Sequence, residues 1–285
     1  MGGNIFKNST RLSDIEYYLL SEIIISKLKS CVQRIELIKS YKNKKSFGDM
    51  DLLISENISQ EKLKNIFGIE NKDISTNGNI TSFLYNNFQI DLISHSIIHF
   101  DMCLFYYNYN DFGNILGKIY RRFGLKLTQE NLVYLIGHKE IIISTNPKDI
   151  LNFLKLKDTP ITTGFIELKD IFDYFIDTPY FNKDIFISEN TKRTGYVQFI
   201  NYINILNEIT TLPSYNKDSY ITHIENFFNV DIQSQIRQYT KQINEIKELA
   251  LKFNGDIIKL ILGIENKELG LKMSMHKLTL TTNYI

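Results

Sequence analysis

The sequence predicts an α+β fold, with strands in the first hundred residues and a mostly helical C-terminal part. Runs of apolar and β-favouring residues bounded by turn residues occupy residues 47–54 and 80–93. Beyond Gly164 apolar residues recur mainly at helical spacing, and Pro160 and Gly164 mark the boundary between the two patterns. A chain of 285 residues can bury a sizeable core, so we expect two packed units or one domain with a substantial extension.

The first hundred residues predict a helix at 13–39, a loop at 40–46, a strand at 47–54, a short helix at 59–67 and a hairpin at 80–93. Ser13 and Glu16 have the spacing of a capping box, which fixes the start of the first helix. Asn77-Gly78 predicts a tight turn, and Asn86-Asn87 joins the two strands of the hairpin.

Later elements follow from the same signals. We expect a loop rich in Tyr and Asn at 106–111, a helix that ends at Phe123 and a strand at 141–144. They are followed by a helix from 147, a mostly helical region beyond 164, a long helix at 231–253 and a short helix at 257–262. Asn146-Pro147 is the start signal of the helix after the strand.

Charge and cysteine content indicate the compartment and limit the partners. The formal net charge of +1 means that any contact with nucleic acid must come from local basic patches. No apolar run is long enough to cross a bilayer, and the N-terminus lacks a basic segment followed by an apolar one. Cys31 and Cys103 lie in apolar contexts, which favours reduced thiols. We expect a cytoplasmic protein without a membrane partner.

Three aspartates form the main candidate site. Asp49 and Asp51 lie two apart on the predicted strand 47–54, so they share one face. If the strand 88–93 lies alongside, Asp91 joins them. Three converging carboxylates repel one another unless a cation holds them together. Hard oxygen ligands suit Mg²⁺, and two such ions can clamp an in-line phosphoryl displacement.

A simpler interpretation must be weighed against the metal site. The two aspartates of an isolated Asp-x-Asp pair line the exposed face of a half-buried strand more often than they bind a metal ion. Here Gly48 precedes the pair, and Asp91 lies in a second apolar strand that a hairpin brings close. These features favour a metal site that uses Mg²⁺, or Mn²⁺ in its place.

This ordered series resembles the polymerase beta-type nucleotidyltransferase superfamily, and is most similar to the palm and thumb of the family X DNA polymerases. The resemblance covers residues 33–164 and rests on Ser40, Gly48-Asp49-Met50-Asp51, Ile90-Asp91-Leu92 and the thumb-like spacing of 104–134. The layout is also similar to small nucleotidyltransferases of phages and large viruses, which would place the protein in the host cytoplasm. Residues 262–271 resemble the closing segment of enzymes that add CCA to transfer RNA.

The resemblance implies an architecture. Residues 1–105 would hold the N-terminal helix and a nucleotidyltransferase palm, which is a mixed or antiparallel sheet with helices on one face. Residues 106–164 would form a small thumb, and residues 165–285 a mostly helical C-terminal domain. One departure from the family is Lys39, which stands where a Gly is expected before Ser40.

The resemblance also implies an enzyme that moves a nucleoside monophosphate from an NTP to a hydroxyl and releases pyrophosphate. Asp49 and Asp51 would hold both metal ions, and Asp91 the ion beside the attacking 3′-hydroxyl. The nucleotide-binding candidates are Ser40, Lys42, Lys44, Lys45, Gly48, Tyr107, Tyr109 and Asn114. The candidates for contacting nucleic-acid phosphates are Lys118, Arg121, Arg122 and Lys126. The basic residues can equally form a solvated face, and the tyrosines can equally be packing residues.

The acceptor stays open at this stage. The 3′-end of RNA or transfer RNA is slightly favoured over a DNA primer. The alternatives are transfer of the nucleotide to a protein side chain, and a non-catalytic nucleotide-binding or scaffold module. His95 and His99 lie four apart without a third ligand at metal-site spacing, so we interpret them as core or surface residues.

Overall fold

The computed structural model describes residues 3–186, 193–206 and 218–252. The predicted helix 257–262 and the segment 262–271 lie outside the described residues. The strands are β1 (Leu12–Ser13), β2 (Ile35–Leu37), β3 (Ser46–Phe47), β4 (Asp49–Ile54), β5 (Ile74–Asn77), β6 (Ile80–Tyr85), β7 (Phe88–Ser94), β8 (Leu125–Leu127), β9 (Leu132–Ile136) and β10 (Lys139–Ser144). The helices are α1 (Asp14–Leu28), α2 (Gln60–Phe67), α3 (Phe100–Tyr107), α4 (Phe112–Arg121), α5 (Pro147–Phe153), α6 (Thr159–Thr163), α7 (Leu168–Ile176), α8 (Thr194–Ile205), α9 (Asp218–Phe228) and α10 (Ile232–Lys252).

A five-stranded mixed sheet in the order β2-β4-β7-β6-β5 carries the candidate site. β4 and β7 pair in parallel, and the other neighbouring strands pair antiparallel. Asn86 and Asn87 have φ angles of 49° and 58°, which is the geometry of a two-residue hairpin turn that matches the twist of its strands. The predicted hairpin is therefore confirmed, and so is the combination of helices with a mixed sheet.

One face of the sheet packs against α1 and α2. Alternate residues of β4 and β7 point into this core, where they meet the apolar face of α1 and two residues of α2. The buried residues of this core include Tyr17, Leu20, Ile24, Leu28, Met50, Leu52, Ile54, Leu63, Phe67, Ile90 and Leu92. Because side chains alternate along a strand, burial of Met50 and Leu52 turns Asp49 and Asp51 to the other face.

The other face is covered in part by α3. Leu53 of β4 and Ile93 of β7 are buried against Phe100 and Cys103 of α3. The resemblance implied helices on one face, and the structure adds this helix on the second face. The carboxylates lie on the α3 side of the sheet, because they share the strand parity of Leu53 and Ile93.

The first helix is shorter than its apolar pattern indicates. Ser13 caps it, and the predicted capping box with Glu16 is present. The helix ends at Leu28, however, so the prediction that it reaches Lys39 is wrong. Residues 35–37 instead form β2, which pairs antiparallel with β4 at the edge of the sheet. Pairing with the exposed edge of β4 satisfies the backbone polar groups of this segment and makes it a strand.

The other predicted elements agree with the structure more closely. α2, α5, β10 and α10 lie where their signals placed them, and Ser59 and Asn146 cap the two shorter helices. α10 ends at Lys252, and Phe253 is outside the described residues. In the part of the chain that the structure describes, no helix combines the length and the apolar character that a membrane span requires.

Of the described residues, those within 1–132 and 144–216 form one compact unit, and those within 133–143 and 217–285 form another. The regions predicted at 1–105, 106–164 and 165–285 stay a prediction. Every side chain of the sites described below belongs to the first unit.

Candidate active site

Asp49, Asp51 and Asp91 converge on one patch of the sheet. Each offers a carboxylate oxygen, and these oxygens lie within 4.8 Å of one another. The parallel register explains this arrangement, because Asp51 of β4 stands opposite Asp91 of β7. Within the described ranges, this is the only group of three or more acidic, His or Cys side chains close enough to share a metal ion. The predicted convergence of the three carboxylates is confirmed.

Two of the three carboxylates, Asp51 and Asp91, have raised pKa values. Burial raises the pKa of Asp51 to about 8, and the charges of Asp49 and Asp91 add to this effect while Lys44 opposes it. Burial also raises the pKa of Asp91, which hydrogen bonds from Ser82 and Gln89 counteract. A cation between these groups would relieve the repulsion. The electrostatics therefore match a cation-binding site.

Two contacts that the sequence did not indicate hold the carboxylates in place. The amide nitrogen of Gln89 donates to both oxygens of Asp91 at 3.0 Å, and its carbonyl oxygen accepts the Ile5 N–H at 3.0 Å. The Gly3 N–H donates to Asp49 Oδ2 at 3.0 Å. Gln89 lies two residues before Asp91 on the same strand face, and this spacing is the signal that could have revealed it.

Asp49 and Asp51 line a cavity of about 200 Å³. We call it the carboxylate cavity, and its walls are Tyr17, Ile38, Lys39, Ser40, Lys44, Phe47, Asp49, Asp51, Ile93, Tyr107, Asn110 and Arg193. Three of the predicted nucleotide-binding residues lie here: Ser40, Lys44 and Tyr107. The buried Ser40 Oγ has no hydrogen-bond partner among the described residues, so this hydroxyl could donate a hydrogen bond to a ligand in the cavity.

Two opposing effects act on the pKa of the Lys44 ammonium. Burial lowers its pKa, and the charges of Asp49 and Asp51 raise it. The same ammonium lies 4.6 Å from the centre of the Phe47 ring. Lys44 therefore places a positive charge beside the carboxylates, where phosphate groups would need neutralisation.

The other nucleotide-binding candidates lie outside the carboxylate cavity. Lys45 pairs with Asp14 at 2.9 Å on the surface. Lys42 and Tyr109 line a separate slot of about 240 Å³. Tyr109 is only 1% exposed, and its hydroxyl donates to the Ile161 carbonyl at 2.7 Å, so its ring is part of the core. Gly48 lies directly beneath Gly3, where a Cβ on Gly3 would overlap the Gly48 carbonyl.

His95 supports the Tyr107 wall of the carboxylate cavity. Its Nδ1 lies 3.1 Å from Glu130 Oε1, and its Nε2 lies 3.2 Å from the Tyr107 hydroxyl and 3.0 Å from Asn79 Nδ2. The His95 side chain is 10% exposed. His99 lies 3.8 Å from the other Glu130 oxygen. These contacts agree with the interpretation of both histidines as structural residues.

A second cavity, of about 380 Å³, lies along α4. We call it the basic cavity, and its walls are Tyr106, Gly113, Asn114, Gly117, Lys118, Arg121, Lys126, Leu127, Thr128, Gln129, Arg193 and Tyr196. Lys118, Arg121 and Lys126 thus lie together, as a shared role requires. Arg122 does not line the cavity and donates to the Tyr180 carbonyl at 3.3 Å. Asn114 belongs to the basic cavity and not to the carboxylate cavity.

Arg193 lines both cavities, and no sequence pattern indicated it. Its guanidinium lies 3.3 Å from Asp111 Oδ1. Arg193 is more than 100 positions from each of the three aspartates and falls outside the span of the family resemblance, so no local pattern could reveal its place.

No protein-family model matches the chain, and a search of curated proteins gives no match. The fold and the geometry of the two cavities therefore carry the functional argument.

Proposed function

We propose that this protein is a nucleotidyltransferase of the polymerase beta type, which moves a nucleoside monophosphate from an NTP to a hydroxyl acceptor. The observation that carries the proposal is the convergence of Asp49, Asp51 and Asp91 at the edge of a cavity that also holds Ser40 and Lys44. Oxygen ligands, a cation and a hydroxyl donor in one cavity are what a triphosphate and its metal ions require. The β4–β7 sheet would be the palm, and the segment after α3 the thumb.

The donor set fits Mg²⁺, with Mn²⁺ as a substitute. All three side chains supply hard oxygen atoms, and their mutual approach within 4.8 Å lets one carboxylate serve two ions. The raised pKa of Asp51 is what such a site has before a cation neutralises it. When bound, a pair of these ions would stabilise the charge that develops on the transferring phosphoryl group.

The chain's own residues would bind and orient the reactants. In the reaction the acceptor oxygen bonds to the α-phosphorus, the bond from that phosphorus to the bridging oxygen breaks, and pyrophosphate leaves. Ser40 would donate its unused hydroxyl to a phosphate oxygen, and Lys44 would neutralise the departing pyrophosphate. Asp91, held by Gln89 at both oxygens, would orient the acceptor hydroxyl and accept its proton.

The expected acceptor is the 3′-end of a nucleic acid, with RNA slightly ahead of DNA. Support comes from the basic cavity, which shares the Arg193 wall with the carboxylate cavity. Phosphates of a strand in the basic cavity would bring its end toward the aspartates. A protein acceptor and a non-catalytic module are the outcomes that the test must separate from this one.

The test is an incorporation assay with the full chain. Each NTP and dNTP, labelled at the α-phosphate, is supplied in turn with Mg²⁺ and with RNA, DNA and protein acceptors side by side. We expect label on RNA, and loss of about a thousandfold or more in Asp91→Ala, because removing a metal ligand forfeits several kcal/mol of transition-state stabilisation.

Asp101→Ala is the matched control, since Asp101 is an exposed aspartate that pairs with Arg34 on the surface. It should incorporate label like the wild type. Label on protein alone would assign the acceptor to the alternative class. Equal incorporation by Asp91→Ala and the wild type, or none by either, would contradict the proposed function.

A further inference from the structure

Four cationic side chains line the basic cavity. They are Lys118, Arg121, Lys126 and Arg193, and none of the described residues that form its walls is acidic. Lys118 is only 8% exposed, and burial together with the neighbouring Arg121 lowers its pKa. Cationic side chains grouped around one cavity attract an anion, and Lys and Arg are the side chains that bind phosphate. The chemistry of the walls therefore selects a negatively charged ligand.

The floor of the cavity is made of small residues. Gly113 and Gly117 lie four apart on α4, so they share the helix face that also carries Asn114, Lys118 and Arg121. Tyr106 packs directly against Gly113, where a Cβ would lie 2.5 Å from the Tyr106 carbonyl oxygen, whereas a Cβ on Gly117 would meet nothing closer than 3.6 Å, so the missing side chain opens the floor at Gly117. The cavity, of about 380 Å³, has room for a phosphate group with its neighbouring sugar.

A buried hydroxyl without a partner also lines this cavity. Tyr196 is 3% exposed, and its hydroxyl makes no hydrogen bond among the described residues. Leaving a buried hydroxyl unsatisfied costs about 1–3 kcal/mol. A ligand oxygen would remove this cost. The phenol is a second indication of a ligand, and it does not depend on the charges.

One carboxylate fixes the wall that carries Arg193 and Tyr196. Asp111 Oδ2 accepts the Tyr196 N–H at 3.1 Å, and Asp111 Oδ1 pairs with Arg193 and accepts from Asn114 Nδ2 at 2.9 Å. Gly195 permits this approach, because a Cβ there would lie 2.6 Å from Asp111 Oδ2. The start of α8 is thereby held against α4, and the wall is built before any ligand arrives.

We propose that the basic cavity is a phosphate-binding site that holds a backbone phosphate of the acceptor strand near its 3′-end. Binding of phosphate follows from the cavity alone, whereas its assignment to the acceptor rests on the proposed function. Arg193, which lines both cavities, would contact the strand where it passes from one to the other. Tyr196 would donate its hydroxyl to a phosphate oxygen.

The test is equilibrium binding of a short fluorescent single-stranded RNA to the full chain, in EDTA and without NTP. Under these conditions no transfer occurs, so a failure of the proposed catalysis leaves this measurement intact, and the reverse also holds. Affinity is measured over a range of salt concentrations for the wild type, Lys118→Met, Tyr196→Phe and a control, Lys62→Met, which removes an exposed lysine of α2.

Removing a charge and removing a neutral donor should have different signatures. Lys118→Met should weaken binding about tenfold and lower the slope of log affinity against log salt by about 0.7, the value for one lost phosphate contact on a single strand. Tyr196→Phe should weaken binding about tenfold with an unchanged slope, because it removes no charge. It should not lower the thermal stability of the protein without RNA, since it deletes an unsatisfied group.

Other outcomes are equally informative. If Lys118→Met and Tyr196→Phe, both folded by thermal unfolding, bind RNA as tightly as Lys62→Met, the phosphate site is contradicted. Inorganic pyrophosphate is tested as a competitor in the same assay. If only pyrophosphate binds, and binds in a Tyr196-dependent way, the phosphate site stands and the assignment to the acceptor strand is overturned.

Discussion

The two cavities of this protein differ in charge and in how the chain builds them. The carboxylate cavity takes Asp49 and Asp51 from β4, and the parallel strand β7 places Asp91 beside them, over a buried core. The basic cavity takes its cations from one helix, the segment after it and the start of α8, nearly seventy residues further along the chain. A sheet holds charged groups of one sign close together because its register is fixed, whereas the Arg193 wall of the basic cavity is held by the carboxylate of Asp111.

Substitution of Arg193 tests this comparison most strongly, because Arg193 lines both cavities. Arg193→Gln should lower incorporation of nucleotide by about tenfold to a hundredfold and weaken RNA binding in EDTA by about tenfold, since one charge contacts phosphates on both sides. Incorporation assays and the RNA titration measure the two effects separately.

Arg237→Gln is the control for this experiment, because Arg237 is an exposed arginine of α10. It should leave both measurements unchanged. If Arg193→Gln changed only one of the two measurements, the cavities would act independently, and the route proposed for the acceptor strand would be wrong.

The clustering of the three aspartates could be predicted from the sequence, because successive side chains of a strand alternate between its two faces. Asp49, Asp51 and Asp91 could be assigned to one face from spacing, and Asn86-Asn87 specified the hairpin that positions Asp91. Gln89 carries the same signal and was overlooked.

The rest could not be predicted, for physical reasons that differ from residue to residue. Segment 35–37 has only two apolar residues, Ile35 and Leu37, at strand spacing, which is too short a run to predict a strand, and the free edge of β4 makes it one. Tyr109 is in a loop expected to face the nucleotide, yet φ angles of 61° and 63° at Tyr109 and Asn110 turn the chain back and bury the ring. Arg193 and Tyr196 reach their cavity only through tertiary packing.

A smaller effect, on the stability of the protein, tests the electrostatic repulsion among the three carboxylates. Asp51→Asn should raise the free energy of unfolding in EDTA at pH 7 by about 1–2 kcal/mol, because the raised pKa of Asp51 means that the folded chain suppresses an ionisation that the unfolded chain allows, and Asn has none to suppress. Thermal unfolding measures this change. Mg²⁺ should then stabilise the wild type and have little effect on the variant.

The control is Asp101→Asn, which breaks a surface ion pair of 2.6 Å with Arg34 and should change stability by less than about 1 kcal/mol, in the destabilising direction. A loss of stability in Asp51→Asn in EDTA would show that the carboxylates are not in conflict without a cation.

Direct measurement of metal binding gives the clearest decision. Mn²⁺ is titrated into the full chain without nucleotide, so that no triphosphate chelates it, and free Mn²⁺ is followed by its electron paramagnetic resonance signal. We expect saturable binding by the wild type and by Asp101→Asn, and loss of that binding in Asp51→Asn. Equal Mn²⁺ binding by Asp51→Asn and the wild type, or none by the wild type, would contradict a metal site formed by the three aspartates.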